Sequence, residues 1–551
     1  IKMTGSEKNT AVSNEGHFNL AGTLEINGEK SSGLYNKGTG TTNINDTTII
    51  NAKDGATAIY GDGGTIALTP GKDLTITVDD TTSPVTKGLA VYAENGATMN
   101  LQGAKIEVID GAAGVASSGT STNINLEGAE LKYSGNGYAV YSDGVGKIDL
   151  TNANIELKGR ATGFEIDLSL APGSRPLTFN NTIITMMSND AVGASLKNAT
   201  GLNSSTLQST IISYLGGNTS FVAGTDAGGT YDKYKVAAVD GGDLTIDANM
   251  DKYSQNDTSD GYFYSRRFLG QRLDLTVNSG FTVTASTDTA YAASYFNNQV
   301  VGLEMNSSTS AASAADAQIN LLANSKVIAD RTDIGNGAIG LYMNFGKIDI
   351  ANGASVEVEK GANTVNDKAV GVYAVNGSTV SNAGDITTGG NQSIGILGMA
   401  YREQPVGTPI VDEFGTGGVF ADQGKVNITN SKNITLDGTG TVGIYAENNN
   451  TTGTKTDAVV TNTASGVITA GDSTPSNASI GIYGEKATIS NQGTISVGDG
   501  GVAIYAKGGT EVTTLGTLDL GDDAVGVMTD GTSDITATSV ILTSNGSGNT
   551  I

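Results

Sequence analysis

Hydrophobic and polar positions alternate along this chain with a period of two, in short runs closed by glycine or asparagine. One phrase recurs: Gly33-Leu34-Tyr35, Ala58-Ile59-Tyr60, Ala90-Val91-Tyr92, Ala139-Val140-Tyr141, Gly340-Leu341-Tyr342, Gly371-Val372-Tyr373, Gly443-Ile444-Tyr445, Gly481-Ile482-Tyr483 and Ala503-Ile504-Tyr505. Gly114-Val115-Ala116, Gly163-Phe164-Glu165, Gly193-Ala194-Ser195, Gly302-Leu303-Glu304, Gly395-Ile396-Leu397 and Gly526-Val527-Met528 keep the frame without the tyrosine. Read at the third residue, positions 92, 116, 141 and 165 lie 24, 25 and 24 apart, and 483, 505 and 528 lie 22 and 23 apart. Each unit continues alike, as in Thr379-Val380-Ser381-Asn382-Ala383-Gly384-Asp385-Ile386 and Thr488-Ile489-Ser490-Asn491-Gln492-Gly493-Thr494-Ile495. Such runs predict three short strands per unit, separated by turns.

A three-stranded unit of about two dozen residues cannot bury its inner face alone, so successive units must stack as coils, each advancing about 4.8 Å. The expected fold is all-β, an elongated right-handed parallel β-helix (a solenoid) with loop or subdomain insertions, the hand following the preference of parallel crossovers. Roughly twenty coils would make a rod on the order of 100 Å. Alternation places Val370, Val372 and Ala374 inward and Tyr373 outward, and likewise Leu89, Val91, Ala93 and Val502, Ile504, Ala506 inward. Glu165, Ser195 and Glu304 at the tyrosine position agree with an outward side chain, since burial would cost them solvation. The Gly or Ala two residues earlier is expected on the same outer face, leaving room for an external ladder of rings.

Coils are expected over 1–195, 303–397 and 425–551, continuing beyond the last residue. Between Leu196 and Gly302 the frame is lost, and 196–302 reads as an aromatic-rich insertion interrupting the β-helix; 398–424 reads as a smaller one. Eight of the 20 tyrosines fall in the first interval. Insertions in solenoids map to loops on one face, often the binding face, and Tyr and Arg are enriched where binding energy concentrates. The candidate receptor- or glycan-binding residues are therefore Tyr231, Tyr234, Tyr262, Tyr264, Arg266, Arg267, Phe268, Arg272, Tyr291 and Tyr295, with Tyr401 and Arg402 in the smaller insertion. Packing of an inserted subdomain against the shaft explains the same residues about equally well.

Composition narrows the function classes. With 77 glycines but only 7 prolines in 551 residues, the chain is rich in turns without the signature of a collagen or a disordered segment. A formal charge of −25 argues against nucleic acid, which needs clustered Lys and Arg. Cysteine is absent, so neither disulfides nor thiolate chemistry is available and repetition must supply stability. No apolar run reaches the length of a membrane-spanning helix, and residues 1–20 lack the pattern of a signal peptide.

Catalytic patterns are scarce. His17 is the single histidine, with no nucleophile elbow around it, and Gly471-Asp472-Ser473 lacks the glycines that follow a protease serine. Calcium nonapeptides, a P-loop, a dinucleotide fingerprint and a histidine-rich metal cluster are missing, so no cofactor or metal is expected. The rival class is a polysaccharide-cleaving β-helix, which needs two carboxylates facing one groove. Asp79-Asp80 and Asp522-Asp523 are adjacent pairs, but strand neighbours point to opposite faces, so the expectation is no enzyme.

Runs such as Ser479-Ile480-Gly481-Ile482-Tyr483-Gly484 followed by Ile489-Ser490-Asn491-Gln492-Gly493-Thr494-Ile495, and Val442-Gly443-Ile444-Tyr445-Ala446-Glu447-Asn448, resemble the passenger repeats of the large fusobacterial autotransporter (type V secreted) adhesins. The resemblance covers most of 1–195 and 303–551. It implies a passenger displayed on the bacterial cell surface, on the extracellular face of the outer membrane, and anchored through a C-terminal β-barrel outside this sequence. It implies a host-cell surface glycan or protein receptor, or other bacteria, as partners. A purely structural stalk, with its binding tip elsewhere, fits the same residues.

Overall fold

The computed structural model describes residues 1–551 apart from 82–86, 189–190, 217, 227–228, 231–235, 252–268, 272, 288–299, 307–316, 332–336, 360–367, 401–409, 412–416, 419–424, 450–454, 538–539, 545–546 and 551. It is nearly all β, 62% strand and 3% helix. Apart from two short antiparallel pairs, Thr225–Asp226 with Gly229–Thr230 and Ile410–Val411 with Gly417–Gly418, the described strands pair in parallel with counterparts in neighbouring units, giving long parallel sheets that fit a β-helix or solenoid. At the tyrosine position the Cα partners run Ser13, Tyr35, Tyr60, Tyr92, Ala116 and Tyr141. They resume at Glu165, Ser195, Ala238, Leu269, Glu304 and Tyr342, and then pass through Tyr373, Leu397, Tyr445, Tyr483, Tyr505 and Met528. Three sets of six make 18 levels, and 17 steps of about 4.8 Å give a column of about 80 Å.

The interval 196–302 corrects the expected domain boundaries, because its described strands belong to the stack. Val236–Ile246 pairs with Val192–Asn203 before it and with Leu269–Gln271 and Asp274–Val277 after it, and Thr282–Thr287 continues the third wall. Two levels of the column, Ala238 and Leu269, lie there. What the stretch lacks is the tyrosine that marks the frame elsewhere.

One unpredicted element, the helix Ser204–Leu215, leaves the stack after Val192–Asn203. Its apolar positions Leu207, Ile211, Tyr214 and Leu215 share one face and are buried against the core, as a 3.6-residue period requires. The Asp247 carboxylate accepts from the Ser205 N–H at 3.0 Å at the first turn. At the other end the Arg175 guanidinium donates to the Tyr214 carbonyl at 2.7 Å, with its carbon 4.1 Å from the centre of the Tyr214 ring. Both ends are thus capped with the charge that the helix dipole favours.

A single apolar core runs through the stack, and here the expected parity is wrong in one respect. Ala58 and Ile59, Ala90 and Val91, Ala139 and Val140, and Ala503 and Ile504 are consecutive residues that are all in the core. The small residue therefore faces inward, not outward beside the ring, and the backbone kinks there: Cα pairing skips it, passing from Ala113↔Tyr138 to Val115↔Val140. A Cβ on Gly371 would stand 2.5 Å from Ile386 Cγ2, and one on Gly114 3.0 Å from Leu131 Cδ1, so the opposite wall fills the space. Beyond the kink the parity is reversed, which puts Val370 outside with Tyr373 rather than in the main core. Leu89 and Val502 are likewise absent from the main core.

Asparagines line one inner corner. Asn382, Asn430, Asn462 and Asn491 are successive Cα partners. Each side-chain N–H donates to the next carbonyl oxygen at 2.7, 2.8 and 2.7 Å, and Asn491 ends the chain on the Leu515 carbonyl at 2.6 Å. Burying amides is tolerable because each is paired.

Candidate functional site

The rings do point away from the main core, while their flanking residues Val372 and Ala374, or Ile482 and its equivalents, point into it. Centroids of Tyr35 and Tyr60 are 5.0 Å apart, Tyr60 and Tyr92 5.3 Å, Tyr445 and Tyr483 4.5 Å, and Tyr483 and Tyr505 5.5 Å, distances at which aromatic pairs attract beyond simple burial.

A second column accompanies them, two residues on and therefore on the same face. Tyr92 donates to Glu94 at 2.9 Å, Tyr445 to Glu447 at 2.8 Å and Tyr483 to Glu485 at 2.6 Å. Across levels, Tyr35 donates to Asp62 at 2.9 Å and Tyr60 to Glu94. Lys507 closes the C-terminal group, 3.0 Å from Glu485. Tyr92 is pushed up to about 12, first by burial and then by its bond to Glu94 and the charge there; Tyr35, Tyr60, Tyr445 and Tyr483 move the same way for the same reasons. Burial raises Glu485, but the Tyr483 and Lys507 hydrogen bonds outweigh it and hold the carboxyl below its usual range. None of these carboxylates was singled out in the sequence, although Tyr-x-Asp or Tyr-x-Glu inside a strand is the available signal.

The middle of the column differs. Tyr342 is 2% exposed, Tyr373 9% and Val375 0%, and with Val301, Ile339 and Val370 they form a separate apolar cluster outside the main core. Here Val375 and Met399 occupy the positions that Glu447 and Glu485 hold further on. The Tyr373 hydroxyl meets the Met399 sulfur at 3.6 Å. The external ladder is thus half-buried at its ends and covered in its centre. Ser195 and Glu304, whose polarity suggested exposure, are buried as well.

All twelve residues expected to bind a receptor, Tyr231, Tyr234, Tyr262, Tyr264, Arg266, Arg267, Phe268, Arg272, Tyr291, Tyr295, Tyr401 and Arg402, lie outside the described residues.

The carboxylate pairs do not converge on a groove. Asp79 takes the Thr81 hydroxyl at 2.8 Å on the surface, whereas Asp80 is fully buried, accepting from the N–H groups of Gly55 at 2.8 Å and of Gly88. Burial raises Asp80. Asp472, Asp499 and Asp522 each accept a backbone N–H from the next level, at 3.0, 2.8 and 2.7 Å, which makes them turn supports. Ser473 donates to the Gly500 carbonyl at 2.8 Å in the same turn. Among the described residues no group of three His, Asp or Glu side chains could hold a metal ion.

A concavity of about 470 Å³ lies on the outer surface of the middle levels, beside the Thr276, Asn320, Asp349, Ser381 and Thr429 column.

Fold and outer face together define an all-β chain of long parallel sheets whose repeat displays paired rings and carboxylates. No protein-family model matches the chain, and no curated protein does. Among solved structures, a PL6-family alginate lyase, AlyGC, aligns over 99% of this chain and 97% of its own at 8% identity with a TM-score of 0.17, a likeness too slight to carry fold or activity across.

Proposed function

We propose that the chain is the passenger of a surface-displayed bacterial adhesin, a right-handed parallel β-helix that holds a contact surface away from the outer membrane. One observation carries this reading: 18 levels of one column follow one another from Ser13 to Met528, the step from Tyr141 to Glu165 being carried by the adjoining Val140↔Phe164 pair, while the described carboxylate pairs serve as ladder partners and turn supports. Such an object spaces and presents better than it catalyses. Its partner is a host-cell or bacterial surface receptor, glycan or protein, and its anchor is a C-terminal β-barrel outside this sequence.

The contact residues remain those read from the sequence, centred on Tyr262, Tyr264, Arg266 and Arg267. Val236–Ile246 and Asp274–Val277 are structural levels, so the test leaves the backbone intact. The informative variant is Tyr264→Ala with Arg266→Ala and Arg267→Ala in the full chain, assayed for adhesion to epithelial cells and to other bacteria. A loss of adhesion tenfold or greater with unchanged circular dichroism supports the reading. Absence of adhesion by the parent chain, or release of new sugar ends from polysaccharides, overturns it.

A further inference from the structure

We infer that the outer concavity on the middle levels is a binding groove for an extended, uncharged glycan. Its floor is a column of small polar side chains, Thr276, Asn320, Asp349, Ser381 and Thr429, which are successive Cα partners on adjacent levels. Its other side is formed by Leu322, Ala351 and Ala383, stacked through N–H bonds from Leu322 to the Val277 carbonyl at 3.1 Å, Ala351 to Leu321 at 2.9 Å and Ala383 to Ile350 at 2.8 Å. Leu322 is 38% exposed and supplies apolar carbon to that side.

The two sides together match the amphipathic build of a sugar, whose C–H face packs on apolar carbon while its hydroxyl edge needs alternating donors and acceptors. Each level offers a hydroxyl, amide or carboxylate at the inter-coil spacing of about 4.8 Å, close to the advance of one sugar along an extended chain. Five levels, or four steps, span about 19 Å, room for a tetrasaccharide, and the volume of about 470 Å³ lies within the usual range for ligand sites.

Charge selects the glycan. Asp349 is paired with Lys347, and Asp274, on the same strand as Thr276, accepts from Asn320 at 2.6 Å while burial and then Asp243 raise it. With Lys347 engaged by Asp349 and with Asp243 and Asp274 nearby, a uronate chain would meet repulsion. The groove is prepared by the fold: Asn382, between Ser381 and Ala383, is the first link of the buried asparagine ladder, and its oxygen also takes the Gly384 N–H at 3.2 Å.

This inference gives the adhesive reading a ligand class and relies on it only for where the glycan comes from. The full chain is titrated calorimetrically with linear tetramers of β-1,4-linked N-acetylglucosamine, of glucose and of galacturonate, beside Ala383→Trp, which fills the groove, and Ser381→Ala, which removes one hydroxyl. The expected result is binding of a neutral tetramer, weaker binding of its dimer, a loss of tenfold or more in Ala383→Trp and a smaller loss in Ser381→Ala, with unchanged circular dichroism. Absence of neutral-tetramer binding at millimolar concentration, preference for galacturonate, or Ala383→Trp binding like the parent with its fold intact would overturn it. Cell adhesion measured on Ala383→Trp separates the two ideas: if adhesion persists while tetramer binding is lost, the groove stands and the adhesive contact lies elsewhere.

Discussion

The tyrosines at the two ends of the outer column and those at its centre occupy the same register yet have different surroundings. At the ends the residue two places on is Asp62, Glu94, Glu447 or Glu485, and the ring is held half-buried with its hydroxyl on a carboxylate. At the centre it is Asn344 after Tyr342 and Val375 after Tyr373, both buried, and the two rings lie in an apolar cluster. The repeat phrase alone does not set a tyrosine's environment. Tyr92, Tyr445 and Tyr483 have a carboxylate as same-face neighbour one pleat further, whereas Tyr342 and Tyr373 have Asn344 and Val375.

Exchanging that neighbour is the strongest way to break the contrast. Val375→Glu places a carboxylate at a fully buried position and should cost about 3–5 kcal/mol, whereas Glu485→Val, on a half-buried face, should stay within about 1 kcal/mol. Hydrogen exchange of the affected levels reads both locally, which suits an array whose levels need not unfold together; equal effects would remove the distinction. Next in size, Tyr373→Ala should destabilise its levels by about 3 kcal/mol or more, against about 2 kcal/mol for Tyr483→Ala, which loses two ring contacts and one hydrogen bond. The asparagine ladder provides a control that spans both regions: Asn430→Ala removes one hydrogen-bond partner from each of two buried amides, Asn382 and Asn462, and should loosen both levels alike, by about 1–3 kcal/mol.

The smallest effect is alkaline. Tyr92 has a raised folded value, so the stability it contributes is complete below its ordinary value near 10 and is lost as pH rises through about 12. A difference absorbance titration of the parent against Tyr92→Phe should show that late-ionising ring. Glu485 has the opposite sign: its folded value is lowered, so its contribution is present above the ordinary carboxylate range and is lost as pH falls through the folded value.

Much of this was legible in the alternation. The strand phrase, the inward branched residues and the outward ring all follow from a period of two. The inward glycine did not, because a kink that turns two consecutive residues to one side leaves no mark on a pattern read by strict alternation; the Ile386 methyl group and the Gly395 carbonyl oxygen, each 2.5 Å from where a Cβ would stand, explain Gly371. The levels at 238 and 269 are hidden because Ala238 and Leu269 stand where the frame elsewhere has tyrosine, its most visible letter. The asparagine ladder was hidden by unequal spacing, 48, 32 and 29 residues between Asn382, Asn430, Asn462 and Asn491, since insertions lengthen a unit without moving its register. The groove was least legible of all. Thr, Asn, Asp, Ser and Thr on five levels are unremarkable one at a time, and only stacking brings them into line.

The unbroken parallel ladder also has a mechanical consequence. Hydrogen bonds between levels run along the column, so tension between its ends detaches coils one after another at the termini instead of shearing the whole at once. A coil of 24 residues that comes free lengthens from about 4.8 Å to about 80 Å of extended chain. A tether built this way dissipates a pull in small instalments, and it re-forms from the intact end when the load is removed, because the next exposed level is already the template for the one that was lost.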